Sequence, residues 1–222
     1  MLKTFLRQQL PLTRPLVAAP LRIQKMPLLT ISNSIQDALS KSEVFPDVLE
    51  PFEPKGLLTI SYGKSNEVAL GNTLSVAETQ TKPLFQFTPT ETGLLKDGDL
   101  FTLVLTDPDA PSRTDKKWSE YAHYVAANIP LSTTAGDADF HSAEIGDKGD
   151  VLLKYEGPGP PKGTGKHRYV FLLYKQEQGK VEAQIESRPN WGYGTPATGV
   201  AKFAAEHGLL PWAVNFFYAE NK

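Results

Sequence analysis

Two histidines and an aspartate sit at positions in the sequence where they could hold an anion. His167 directly follows the glycine- and proline-rich stretch 154–166 and, with Arg168, leads into the apolar run Tyr169-Val170-Phe171-Leu172-Leu173-Tyr174. A run of that length and composition reads as a buried strand, so the imidazole lies at a strand mouth. His123 follows Trp118-Ser119-Glu120-Tyr121-Ala122 at the start of a second strand-like stretch. Asp107 closes the apolar stretch 100–106 and is followed by Pro108-Asp109-Ala110-Pro111, a corner whose prolines restrict its acids. If these three strand ends share one rim, Asp107, His123 and His167 converge, with Trp118 and Tyr169 as aromatic walls. Imidazole N–H groups and free loop amides donate to phosphate oxygens, and a carboxylate orients an imidazole or accepts from an ammonium. Gly163 and Gly165 are expected to let the loop backbone approach a small ligand closely.

Other chemistries fit the same residues less well. A phosphate-binding P-loop needs Gly, four residues, then Gly-Lys-Ser/Thr, but around Gly165-Lys166 position 160 is proline and position 167 is histidine. A dinucleotide fingerprint needs free amides at a helix start, whereas Pro158, Pro160 and Pro161 have none and a strand follows. No Gly-x-Ser-x-Gly elbow occurs, and neither Ser112 nor Ser119 stands in a nucleophile's context. Two histidines and a carboxylate could hold a metal, but the helical His-x-x-x-His spacing that would make this specific is missing. The expectation is a binding protein with no catalytic residue, metal or cofactor. A His/Asp-dependent hydrolase is the weaker alternative.

The elements that must position these residues read as short strands at 57–62, 84–88, 100–106, 123–129, 151–155, 167–175 and 212–219. Turn-rich connections separate most of them, which predicts an all-β core: an antiparallel β-sandwich with a few short peripheral helices. One helix is expected after the cap Ser32-Asn33-Ser34, with Ile35, Ala38 and Leu39 on its buried face. A second is expected to be capped by Thr195, to carry Pro196 in its first turn and to end at Gly208, with Val200, Phe203, Ala204 and His207 on one face. His207 is thus a last-turn residue, and His141, in the polar loop 136–150, a solvated one.

The 222 residues, 40% hydrophobic with net charge −2, suit one globular domain over 27–222. Balanced charge disfavours nucleic-acid partners, and no apolar run has the length of a membrane span. The absence of cysteine excludes disulfides and thiolate metal sites. Residues 1–26 contain no acid, carry five Lys/Arg, and place Leu2, Phe5, Leu6 and Leu10 near one helix face before Pro11. That is the pattern of a mitochondrial presequence, which would send the protein to mitochondria; translation from Met26 would instead leave it cytoplasmic.

At these residues the chain resembles the phosphatidylethanolamine-binding protein family. The matching pieces are Asp107-Pro-Asp-Ala-Pro-Ser-Arg113, the segment from Glu120 to His123, the loop from Gly157 to Tyr169, Arg188-Pro-Asn-Trp-Gly-Tyr-Gly-Thr-Pro-Ala-Thr-Gly199, and Asn215-Phe-Phe-Tyr-Ala-Glu220. Several spaced motifs make chance agreement improbable. The resemblance implies a pocket for phosphate-type or phosphatidylethanolamine head groups lined by Asp107, Pro108, Asp109, Trp118, His123, Gly159, Pro161, His167 and Tyr169. Ala122, where many relatives carry an aromatic or histidine, implies a more open side. Within the family the chain looks most similar to an inhibitor of carboxypeptidase Y-type serine carboxypeptidases. That implies an inhibitory end, for which Met26, Pro27, Leu28, Leu29 and Thr30 are the candidates. Regulation of signalling kinases, as some relatives perform, is the alternative partner reading.

Overall fold

Strands β5 (Leu100–Asp107) and β9 (His167–Gln176) are buried along almost their whole length, whereas β1 (Gly56–Tyr62) alternates between buried and partly exposed positions. The difference reflects what covers each sheet. In this computed structural model, which describes residues 28–91, 93–131, 143–145 and 148–222, the larger sheet is covered on both faces and the smaller on one. The smaller sheet has the order β2-β1-β4-β7, with β2 at Asn66–Glu67, β4 at Leu84–Pro89 and β7 at Ala143–Glu144. The larger has the order β3-β10-β9-β5-β6-β8, with β3 at Asn72–Thr73, β6 at Tyr121–Pro130, β8 at Asp150–Leu153 and β10 at Leu209–Ala219.

Between the sheets Phe85, Phe87, Tyr169, Phe171 and Phe217 pack as the sandwich core. On the outer face of the larger sheet Val170, Leu172 and Phe216 meet three helices, α1 (Leu28–Lys41), α2 (Val44–Asp47) and α3 (Val200–Glu206). Successive residues of a strand point to opposite faces. On β9, therefore, Tyr169 faces the sandwich interior while Arg168 turns to the helical layer, where it bonds to Ser42, Glu43 and Asp47.

The expected β-sandwich is present, and each of the seven predicted strands has a counterpart. One pairing departs from the antiparallel expectation: β3 runs parallel to β10 over two residues. Both helices also begin elsewhere than predicted. Helix α1 starts at Leu28, so Ser32-Asn33-Ser34 lies inside it rather than at its start, although Ile35 and Leu39 are buried as expected. Helix α3 starts only at Val200, because Ala197 adopts φ of +58 and breaks any helix from Thr195. Its first amide is instead satisfied from a distance, by the Glu120 carboxylate at 3.1 Å. His207 does close α3, its ring packed at a tilt against Phe203 with 4.5 Å between ring centroids. The leader 1–26 and His141 lie outside the described residues.

Candidate functional site

Three strand ends do meet. At the end of β5, one Asp107 oxygen accepts the Asp109 amide at 2.7 Å, a turn closed by the side chain, and the other lies 2.8 Å from His167 Nδ1 at the start of β9. Both residues are buried. A carboxylate only accepts, so Nδ1 donates and the ring is fixed with Nε2 on its free side. That nitrogen lies 3.0 Å from Thr164 Oγ1, which is also 2.8 Å from the Pro161 carbonyl.

His123 owes its position to an irregularity in pairing. Leu105 faces Tyr124 and Thr106 faces Ala122, so His123 is the extra residue of a β-bulge. Bulges recur where a strand must re-aim a side chain. Its Nδ1 donates to the Glu156 carbonyl at 2.9 Å, and its ring lies 5.2 Å from that of Tyr169, edge to face. Burial holds the ring below the usual histidine range against the opposing pull of Asp107. The neutral ring therefore keeps its proton on Nδ1 and offers a lone pair at Nε2.

Tyr169 is fully buried between the two imidazoles, its ring parallel to that of His167. Among the described residues its hydroxyl makes no hydrogen bond of good distance and angle, although the Gly159 amide and the Asp107 carboxylate stand beside it and act on it electrostatically. Burial and the Asp107 charge push its phenol far above the usual value, so it remains a donor. A buried donor left unpaired costs on the order of 1–3 kcal/mol, which a ligand oxygen would relieve.

The remaining predicted residues divide. Pro108 is buried, and its carbonyl accepts from Ser119 Oγ at 2.7 Å. Gly159 and Pro161 are exposed on the loop. Trp118 is 43% exposed with Lys117 Nζ 5.3 Å from its ring, and among the described residues no ring contact joins it to either histidine. Asp109 faces away from the site: both its oxygens bind the buried Arg168, at 2.9 Å to Nε and 2.6 Å to Nη2. It therefore braces the corner rather than offering a free acceptor. Ala122 packs in the helical layer, because the bulge turns it away from His123, so its small size does not widen the site. Gly163 and Gly165 have φ of +78 and +81, and beyond their immediate chain neighbours no atom of the described residues lies within 4 Å of where their Cβ would stand. Backbone conformation, not crowding, requires glycine there. Met26 and Pro27 fall outside the described residues, while Leu28, Leu29 and Thr30 form the first turn of α1.

Sequence reasoning missed Thr164, whose hydroxyl completes a hydroxyl–imidazole–carboxylate chain with His167 and Asp107. The signal was the spacing Thr-Gly-Lys-His, with the hydroxyl three residues before the imidazole. Ser112 and Ser119, the hydroxyls considered from sequence, bond elsewhere, to Thr164-independent partners Thr114 and Pro108. Also missed was the rim around His123, where Glu156 accepts from Tyr121 at 2.9 Å and pairs with Arg188 at 2.9 Å. A hollow of about 210 Å³ lies elsewhere, in the helical layer, lined by Ile185, Trp191, Tyr193, Phe203, Glu206 and His207. Its Glu206 already has a cation nearby in Lys202, 3.8 Å away, and takes the Tyr193 hydroxyl at 2.6 Å.

Comparison with known proteins follows the same lines. The family model described as Phosphatidylethanolamine-binding protein matches residues 52–217. The carboxypeptidase Y inhibitor of Saccharomyces cerevisiae is 47% identical over 207 residues, covering 84% of this chain and 94% of the relative. Protein MOTHER of FT and TFL1 homolog 2 of Oryza sativa subsp. japonica is 32% identical over 190 residues, covering 84% and 94%. Among solved structures, carboxypeptidase Y inhibitor complexed with its cognate proteinase superposes with a TM-score of 0.81 at 45% identity, covering 88% of this chain and 98% of that one.

Proposed function

Because the chain belongs to the phosphatidylethanolamine-binding protein family, we propose that it is a non-catalytic binding protein whose rim site takes a phosphate-type head group and which inhibits a serine carboxypeptidase. The observation that carries the anion half is the buried Tyr169 hydroxyl, a donor between two oriented imidazoles that meets no well-formed hydrogen bond among the described residues. Phosphoryl oxygens accept from that hydroxyl and from the Gly159 amide beside it. The neutral His123 ring accepts from a protonated phosphoryl oxygen, or takes up a proton itself when an anion arrives. Asp107 keeps the His167 ring oriented.

Calorimetric titration of phosphoethanolamine into the wild type and Tyr169→Phe tests this half. Loss of one hydrogen bond to a charged oxygen should weaken binding about tenfold or more. Equal affinity of the two proteins would remove the site as assigned.

The inhibitory half is supported by the 47% identity to a carboxypeptidase Y inhibitor and by the fold shared with that inhibitor in its proteinase complex. A carboxypeptidase cleft accepts chain ends, so a terminal segment of this chain is the part suited to enter it, with residues 26–30 the candidates. Adding the protein to carboxypeptidase Y should slow peptide hydrolysis in a concentration-dependent way. Unchanged hydrolysis at a large molar excess would end the inhibitor reading and leave the anion site standing.

A further inference from the structure

We propose that the Thr164 hydroxyl is an internal occupant of the anion site, held on His167 Nε2 where a ligand oxygen would bind, so that release of the 161–165 segment sets the affinity. This rests on the reading of the site given above. His167 has one nitrogen committed to Asp107 at 2.8 Å, which leaves only Nε2 for a ligand, and Thr164 Oγ1 stands 3.0 Å from it. The same oxygen lies 2.8 Å from the Pro161 carbonyl, and one hydroxyl proton serves only one of these neighbours. If it goes to the carbonyl, the Nε2 proton points at Thr164, the bond it would otherwise make to a phosphoryl oxygen. If it goes to Nε2, the ring has no second proton to offer. In both arrangements an anion reaches this nitrogen only after Thr164 leaves.

The segment is built to hold that position and to give it up. Its left-handed Gly163 and Gly165 flank Thr164 on both sides, and Pro161, Lys162 and Gly163 are exposed. Thr164 N donates to the Pro161 carbonyl and closes a turn within the segment, while Gly163 N donates to the Asn221 carbonyl and ties the segment to the chain's end, each at 3.2 Å. The second makes the C-terminal tail a latch on the segment. When a site is competent only while an internal group is displaced, apparent affinity falls by the competent fraction.

The experiment is calorimetric titration of inorganic phosphate and, separately, of phosphoethanolamine into the wild type, Thr164→Val, Thr164→Ser and a chain ending at Glu220. Removing the hydroxyl should tighten binding about three- to tenfold, the worth of one ordinary hydrogen bond, with Thr164→Ser close to wild type and the shortened chain also tighter. Tightening for both anions identifies phosphate oxygens as the competitor; tightening for phosphoethanolamine alone identifies the whole head group. The ¹⁵N resonance of His167 Nε2 should move in ligand-free Thr164→Val, and in the wild type only on saturation. Wild-type binding with Thr164→Val unchanged or weaker overturns the inference and spares the site. No binding by any form overturns both. Covalent labelling of Thr164 by a fluorophosphonate would also overturn it, by making that hydroxyl a nucleophile.

Discussion

His123 shows how much a single ring's surroundings decide. Its Nδ1 is committed to the Glu156 carbonyl, and burial outweighs the nearby Asp107 charge, so the free protein holds it neutral at neutral pH. A bound phosphate supplies the opposite pull and raises the ring toward its protonated form. Binding then takes up a proton, and affinity should fall as pH rises from about 6 to 8. Titrations in buffers of different ionisation enthalpy measure that uptake directly; an identical heat in every buffer and a flat pH profile would show that no proton is involved. The same depression bears on stability. The folded ring binds its proton more weakly than the unfolded one, so its contribution is present above about pH 6.5 and is lost as pH falls through the lowered value.

At the scale of elements, Glu120 joins two of them. Its carboxylate accepts from Thr106 on β5 at 3.0 Å and from the first amide of α3 at 3.1 Å, while Thr106 takes the Trp191 indole at 3.1 Å. Burial pushes its carboxyl up to about 8, against those two hydrogen bonds and with Asp107 adding repulsion. A raised acid binds its proton more tightly when folded. The stability it contributes is therefore complete below its unfolded value of 4.5 and is lost as pH rises through about 8. Glu120→Gln keeps an acceptor for Val200 and removes the titration, so its urea midpoint should change less than that of the wild type between about pH 5 and pH 9. Parallel profiles for the two proteins would show that the carboxyl does not titrate in that range. Arg168 works at the same scale. Its guanidinium joins Asp109 at the site's corner to Asp47 of α2 and the carbonyls of Ser42 and Glu43, bracing the helical layer against the strand ends. Removing one member of such a buried pair typically costs about 3–5 kcal/mol, which makes Asp109 a residue of structure first.

Over the whole molecule, a ligand that binds only the folded chain adds stability according to its concentration over its dissociation constant. Phosphoethanolamine at a hundred times that constant should add roughly 2.7 kcal/mol, enough to raise Tm by a few degrees in a domain of this size. A Tm unmoved at saturating ligand would contradict binding at the buried rim. Much of this architecture was legible in the sequence. Alternating and continuous apolar runs follow from burial on one face or two, so they located the strands, and the residue pairs at strand mouths located Asp107, His123 and His167. What the sequence could not express is where chain segments far apart in number come to lie. Whether Asp109 faces a ligand or Arg168 depends on which side of β9 the helices occupy. Whether Ala122 or His123 points into the sandwich depends on one bulge in a ladder with β5. Thr195 loses its cap role to Glu120 because a buried carboxyl just before β6 reaches the α3 amide, and Thr164 becomes part of the site only when the loop folds back on His167. Residue type and period are local properties that a sequence carries by itself; hydrogen-bond partners across the sheet are chosen by packing, and only the tertiary structure decides them.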